Sequence, residues 1–249
     1  MEILKITSLQ HAIIKHIVRL RQNHDFRVEH NTLVISGIKQ IREVCSHAPV
    51  KTLLVYDETF IPAGIKADAI YIVSEEMMQK ASGMLHPEGI LAEVEMPPSS
   101  NLKGLKKIVA LDKVSDPGNL GSILRTALAL GFDGAFILED SCDPYNDKAL
   151  SAARGATFRL PLAKGNWKDL EALISQNELQ AFVGDIEGIS LDTLKAPEKI
   201  LLVLSNEAHG VSKIALKNCA QIMIPMSHDM ESLNVAVAGG ILMYMLKGK

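Results

Sequence analysis

IVALDKVSDPGNLGSILRTALALG, residues 108–131, decides the fold. It opens on four apolar residues, Ile108–Leu111, as a strand covered on both faces requires. Pro117 and Gly118 then predict a tight turn. From about Asn119 to Leu130 the apolar positions Leu120, Ile123, Leu124, Ala127 and Leu128 repeat at helical spacing. Asn119 is the expected N-cap and Gly131 the expected C′ residue. Strand, turn and amphipathic helix make one β–α unit. The pattern recurs downstream. Strands are predicted at Ala135–Leu138, Ala181–Asp185, Ile200–Leu204 and Gln221–Ile224. Helices are predicted at Lys148–Arg154, Trp167–Gln176, just after Gly210, and from about Ser232 to Leu246. Such interleaving implies an α/β fold with a mostly parallel sheet and helices on both faces. Ligands of such sheets bind at the carboxyl ends of the strands.

Upstream, the alternation is weaker. Residues 8–22 predict a helix with Ile13, Ile14, Ile17, Val18 and Leu20 inward. Leu33–Ile35, Leu53–Tyr56, Ile70–Val73 and Ile90–Val94 read as strands, Ile38–Cys45 and Glu75–Ala81 as helices. The stretch PPSSNLKG at 97–104 has prolines, serines and glycine without periodicity. The expected division is therefore a domain at 1–97, a linker at 98–104 and a second domain at 105–249.

Apolar residues make up 47% of the 249 and charged ones 22%, which fits a globular chain with a sizeable core. Cys45, Cys142 and Cys219 lie far apart, which argues against a disulfide framework or a zinc site and favours a reducing compartment. The opening MEILKITSLQ has no apolar h-region, so no signal peptide is expected. The apolar run Leu233–Leu246 falls short of the ~20 residues of a bilayer span and reads as a buried helix. Net charge is −3, but it is unevenly spread. Residues 1–49 hold seven Lys/Arg against four Asp/Glu, while 50–100 hold three against eight. Lys15, Arg19, Arg21 and Arg27 form the one basic cluster. It is either a nucleic-acid contact or a solvated helix face.

Three stretches carry polar residues where chemistry is expected. In the first, 112–131, Gly121, Ser122, Arg125, Thr126 and Ala129 share one helix face. Arg125 there is either a bidentate phosphate holder or an ordinary surface arginine. The stretch has neither GxxxxGK[ST] nor GxGxxG, so neither nucleotide fingerprint applies. The second, ILLVLSNEAHGVS at 200–212, ends a buried strand in Ser205-Asn206-Glu207. That is a site at a strand's carboxyl end or simply a capped helix start. The third, IMIPMSHDMESLNVAVAGGILMYML at 222–246, places Ser232 and Asn234 before a helix of small residues. Ala236, Ala238, Gly239 and Gly240 leave room for a subunit contact or for close packing on the sheet.

The order DxxxDPGNxGxxxRTAxxxG, SNExxGVS, IPM…SLNVxVA resembles the three motifs of the SpoU/TrmH family of RNA ribose methyltransferases, in the SPOUT superfamily. The resemblance covers about 104–249. More loosely, 1–97 resembles that family's RNA-binding domain, which is like ribosomal protein L30e. The family's Glu-Gly after the first strand is here Ser36-Gly37. The resemblance implies a deep trefoil knot in the C-terminal domain, a homodimer with sites completed across the interface, and S-adenosyl-L-methionine as cofactor without a metal. It places Leu204, Ser205, Asn206, Gly210, Ile224, Met226, Ser232 and Leu233 in the cofactor pocket, with Ser205 where glycine is commoner. It assigns Asn119, Arg125, Glu207 and Asn234 to catalysis and site organisation. The implied activity is 2′-O-methylation of a ribose in ribosomal or transfer RNA, in the cytoplasm and away from membranes. A non-catalytic RNA-binding paralogue, a SPOUT base methyltransferase and a nucleotide-dependent α/β enzyme are the competing readings. Intact Arg125 and Asn234 oppose the first, SLNVAVA and NxGxxxR the second, and the missing phosphate loops the third.

Overall fold

The computed structural model of the chain describes residues 3–194, 196–205, 210–227 and 232–248. It divides into two compact units: Met1–Pro98 with Tyr145–Phe158, and Ser99–Pro144 with Arg159–Lys249.

The first unit runs β1 (Ile3–Lys5), α1 (Ala12–Gln22), α2 (His24–His30), β2 (Thr32–Ser36), α3 (Ile38–Val44), β3 (Val50–Val55), β4 (Ala67–Ile72), α4 (Glu75–Ser82) and β5 (Ile90–Glu95). Its sheet has the order β1-β4-β3-β5-β2. Strands β1 and β3 lie parallel to β4, while β5 is antiparallel to both β2 and β3. Helix α1 buries Ile14, Ile17 and Leu20 completely. Ile13 and Val18, expected inward, are half-buried. The helix starts at Ala12, where His11 Nδ1 accepts from Ile13 N at 3.3 Å. Helix α2 and strand β1 carry no apolar periodicity and were not expected. Asn23 starts α2 by accepting from Phe26 N at 2.8 Å. Every residue of β1 is exposed.

A buried carboxylate sits in this sheet. Glu93 is 6% exposed. It accepts from Thr32 Oγ1 at 2.9 Å and Thr52 Oγ1 at 2.8 Å, and His16 Nε2 lies 2.9 Å from Oε1. Its acceptor sites are filled, as burial of a carboxylate demands.

The second unit begins with β6 (Lys107–Asp112), α5 (Pro117–Ala129) and β7 (Gly134–Leu138). Next in the chain comes α6 (Asp147–Ala153), which belongs to the first unit. There Leu150 enters the core with Leu33, Ile41 and Val44, and its carbonyl accepts from Gln40 Nε2 at 2.9 Å. The periodicity of 148–154 predicts this helix but not where it packs, since chain order groups it with the C-terminal half. The second unit resumes with β8 (Leu162–Gly165), α7 (Trp167–Asn177), β9 (Gln180–Ser190), β10 (Ile200–Ser205), α8 (Lys213–Asn218), β11 (Ala220–Met223) and α9 (Val235–Leu246).

The second sheet has the order β11-β9-β10-β6-β7-β8, with every pairing parallel. Both faces of the central strands are covered, which is why Ile108–Leu111 and Ile200–Leu204 read as unbroken apolar runs. Leu201, Val203, Ile108 and Ala110 pack with Leu170 and Leu173 of α7 and Ala215 of α8. Helix α9 lies on Leu204: a Cβ at Gly239 would stand 2.5 Å from Leu204 Cδ1. Only glycine admits that approach without displacing the leucine, so the small residues of α9 serve close packing on the sheet.

Helix α5 starts two residues earlier than expected. Asp116, not Asn119, is the N-cap, accepting from Asn119 N at 2.7 Å with Pro117 in the first turn. Proline is preorganised for that place and aspartate caps it, so Asn119 is left free for another contact. Gly131 follows the helix with φ +77°, as a C′ residue does. Helix α9 likewise begins at Val235, with Asn234 as its cap.

Candidate active site

A cavity of about 390 Å³ opens at the ends of β10 and β11 and beside the middle of β9, where that strand leaves the ladder: Gly184 and Asp185 on β9, Leu204 and Ser205 on β10, and Ile222 and Ile224 at and beyond β11. This is the carboxyl edge of a parallel sheet, where ligands are expected. Its size is that of a small-molecule site. Strand β9 makes room for it. Strand β11 pairs with Phe182–Val183 and then with Ile189–Ser190, so residues 184–188 leave the ladder between them.

Leu204, Ser205, Gly210, Ile224, Met226, Ser232 and Leu233 all line this cavity. They come from two stretches of sequence, 204–210 and 224–233. Asn206 and Glu207 lie outside the described residues, as does His209. Sequence reasoning missed Gly184, Asp185, Ile186, Val211, Ile222, Val235, Ala238 and Leu242, which line it too. The available signal was Gly184-Asp185 at the end of an apolar strand.

The walls are mostly apolar. Asp185 is the one ionisable side chain among the described lining residues, and its Oδ1 accepts from Glu187 N at 3.3 Å. Ser205 Oγ is buried and has no hydrogen-bond partner among the described residues. An orphaned hydroxyl costs free energy unless something else meets it. Ser205 lies beside Asp112 of β6. Asp112 is 2% exposed and accepts from Ser212 Oγ at 2.6 Å. Ser212 in turn accepts from Ala215 N at 3.2 Å and caps α8. The chain leaving the cavity is thereby tied to the sheet. At the other end of α8, burial and then the charge of Asp112 push the Cys219 thiol up to about 12.

The structure brings Asn119 and Asn234 together, 115 positions apart in sequence: Asn234 Nδ2 donates to Asn119 Oδ1 at 3.0 Å. Asn234 Oδ1 meanwhile accepts from Ala236 N and Val237 N at 3.0 and 3.3 Å. One asparagine thus starts α9, and its amide fixes the first turn of α5. Helices α5 and α9 pack together, with Thr126 beneath Gly240. Arg125 does not line the cavity. It stands exposed on α5, without an ion-pair or hydrogen-bond partner among the described residues. The face expected to be open is divided: Ala129 is exposed with Arg125, but Gly121 is buried. Among the described residues no cluster of His, Cys, Asp or Glu is placed to hold a metal. None of the described helices is long and apolar enough to cross a membrane.

A parallel sheet covered on both faces, with a largely apolar cavity at the strand ends and an asparagine clamp beside it, defines a small-molecule-binding α/β domain of the doubly wound class. The chain belongs to the SpoU rRNA methylase family, whose model matches residues 106–244. Residues 11–92 match the MRM3-like substrate binding domain. The Bacillus subtilis 23S rRNA (guanosine(2553)-2′-O)-methyltransferase RlmP is 31% identical over 248 residues, covering 98% of this chain and 99% of the relative. An AdoMet-bound rRNA methyltransferase from Sinorhizobium meliloti superposes with a TM-score of 0.87 at 26% identity, over 98% of this chain and 97% of that one. The SpoU methyltransferase AviRb of Streptomyces viridochromogenes shares the fold at 22% identity, with a TM-score of 0.85 over 96% and 97% of the two chains.

Proposed function

We propose that this chain methylates a ribose 2′-oxygen of ribosomal or transfer RNA with S-adenosylmethionine, and that ribosomal RNA is the substrate to test first. The observation that carries this reading is the cavity, lined by residues of two motifs and flanked by the Asn119–Asn234 clamp. The cavity residues suit the cofactor. Apolar walls fit its adenine and methionyl carbons, the unpartnered Ser205 hydroxyl offers a hydrogen bond, and Asp185 offers negative charge or a ribose contact. Leu204, Gly210, Ile224, Met226, Ser232 and Leu233 would complete the enclosure, with Asn206 beside Ser205 in the chain. When bound, S-adenosylmethionine supplies a methyl group activated by its sulfonium.

The protein's task is then the hydroxyl, a weak nucleophile until a positive field helps it. Arg125 holds the phosphate next to the target ribose bidentately and stabilises negative charge growing on the 2′-oxygen. A guanidinium stays charged in proteins and so makes a poor general base. The proton therefore leaves to the phosphate or to water. Asn119 and Asn234 hold α5, and so Arg125, against α9; the family resemblance gives Glu207 a part in organising the site.

The family resemblance supports three further parts of this reading: a deep trefoil knot in the C-terminal domain, an L30e-like N-terminal domain and a cytoplasmic homodimer. For the dimer there is physical support as well. Helix α9 is apolar on its outer side, where Val237 is 52% and Tyr244 60% exposed beside Ile241 and Met245. A helix apolar all round is one that is covered on all sides. The full chain should sediment as a dimer, and Tyr244→Glu should split it.

The decisive experiment has two parts. Calorimetry in EDTA should detect S-adenosylmethionine and S-adenosylhomocysteine. Radiolabelled methyl should then reach unmodified 23S rRNA as an alkali-resistant 2′-O-methyl nucleotide. Absence of cofactor binding, with or without RNA, overturns the proposal. Cofactor binding with label on a base instead of a ribose moves it to the base-modifying branch.

A further inference from the structure

The four clustered cations of the N-terminal region are not equivalent. Arg27 is 4% exposed, and its guanidinium donates to the carbonyls of Leu20 (2.9 Å) and Arg21 (3.1 Å), joining α1 to α2. Arg21 Nε donates to Ala81 O at 3.1 Å, and its Nη1 lies 3.4 Å from Asp147. Both are occupied in holding the first unit together. Lys15 and Arg19 are different. With Lys80 of α4 and Gln22, they line a second concavity of about 350 Å³ beside α1. All three cations are exposed, and none has a carboxylate partner among the described residues. Two of them are held in place. The Arg19 guanidinium stands 4.2 Å over the Phe26 ring, and Lys80 Nζ donates to Leu9 O at 3.0 Å.

We propose that this groove, through Lys15, Arg19 and Lys80, grips the phosphate backbone of the substrate RNA. Three exposed cations without a carboxylate partner among the described residues stand around one concavity and form a local positive site. A polyanion entering it releases counterions and meets no desolvated carboxylate. Gln22 and the Asn23 side of the groove add neutral donors suited to phosphate and sugar oxygens. Contacts of this kind position RNA and carry no sequence information, so the groove sets affinity and register while the second unit chooses the nucleotide. The inference rests on the RNA-methylating function proposed above.

The test titrates full-length protein with unmodified 23S rRNA made in vitro, at several salt concentrations. Lys15→Gln/Arg19→Gln/Lys80→Gln is compared with wild type and with Lys66→Gln, an exposed lysine of the same unit outside the groove. Each lost phosphate contact should lower the slope of log affinity against log salt by about 0.7–0.9. The triple variant should therefore bind on the order of ten- to a hundredfold more weakly near 0.1 M salt, with a slope lower by about two. Cofactor affinity and melting temperature should hold, and Lys66→Gln should match wild type. An unchanged slope in the triple variant overturns the groove. So does an equal loss in Lys66→Gln, which would make the effect one of net charge. Wild type that binds no RNA, or that binds anionic phosphatidylglycerol vesicles in its place, sinks the functional reading itself and the groove with it.

Discussion

Glu93 in the first unit and Ser205 in the second are both polar groups set among apolar strands, yet they are treated oppositely. Glu93 has a threonine on each carboxylate oxygen and a histidine beside one of them. The Ser205 hydroxyl has no partner among the described residues. The same contrast separates Arg27, which is buried and bonded to two carbonyls, from Arg125, which stands exposed and without a partner among the described residues. Polar groups whose work is folding have their partners inside the chain. A missing partner alone does not mark a ligand site, since Thr157 Oγ1 in the first unit is also buried without a hydrogen bond among the described residues; what sets Ser205 apart is that it lines a cavity. In the first unit, three cations without a carboxylate partner among the described residues line the α1 groove. In the second, Ser205 lies at the carboxyl edge of the sheet, while Arg125 stands on α5 outside the cavity.

Exchanging the two kinds of residue for alanine should break the molecule in opposite ways. Arg125→Ala should lower methyl transfer by about 10²-fold or more, the scale of losing one preorganised charge partner. Its side chain fills no core space, so stability should stay within about 0.5 kcal/mol of wild type. Arg125→Lys should not rescue turnover, because an ammonium lacks the bidentate fork. Single-turnover rates and thermal melts read both effects. Near-normal turnover returns Arg125 to an ordinary surface residue. Glu93→Ala should do the reverse. Removing the acceptor leaves Thr32, Thr52 and His16 facing a hole, at a cost of about 2–4 kcal/mol. Cofactor affinity of the folded protein should not change. A Glu93→Ala protein as stable as wild type would mean that filled partners are no sign of a structural role.

Legibility follows the same division. The second unit was readable because parallel strands covered on both faces leave long apolar runs, and because its site residues cluster at the ends of those runs. Seven cavity residues were named from motifs at 204–210 and 224–233. Asp185 was not, since a register jump in β9 leaves no mark in composition. Asn119 was named as a candidate site residue and also misread as a cap, because both Asp116 and Asn119 suit that role and only the position of Pro117 separates them. The first unit was harder. Its exposed β1 has no alternation to detect, α2 is too short for a periodic signal, and α6 belongs to the first unit although chain order groups it with the second. The basic cluster was visible as charge, but which arginines were already bonded depended on contacts between α1, α2 and α4.

Asp185→Asn tests the open side more gently. The variant keeps the turn bond to Glu187 N and loses only charge. S-adenosylmethionine affinity should fall about tenfold by calorimetry, about the 1.4 kcal/mol of one partly exposed charge-assisted contact. Comparing S-adenosylhomocysteine with 5′-methylthioadenosine, which lacks the amino-acid end, locates the contact. An equal loss for both points to the ribose, and a loss for the former alone to the ammonium. Unchanged affinity for all three would leave Asp185 as a turn residue, and the cavity would hold its ligand without charge.

The smallest effect expected lies on the closed side, in the thiol of Cys219. Its pKa is raised from 9.0 to about 12 by burial first and by the neighbouring Asp112 second. The folded state thus binds the proton more tightly than the unfolded chain does. The stabilisation is fully present below about pH 9 and is lost as pH rises from there towards 12. Melting temperature should therefore decline above pH 9, and Cys219→Ala should flatten that decline while lowering stability slightly at neutral pH through the small space it leaves. Cys142, pushed up to about 11 by burial and then by Asp116 and Asp143, adds to the same slope. The double variant Cys142→Ala/Cys219→Ala should show the shallowest alkaline limb. The comparison with wild type must be made at fixed ionic strength, because lysines also titrate in this range. If both variants fall as steeply as wild type above pH 9, the thiols are not the groups responsible. Cys219 would then count as packing alone, with no electrostatic tie to Asp112.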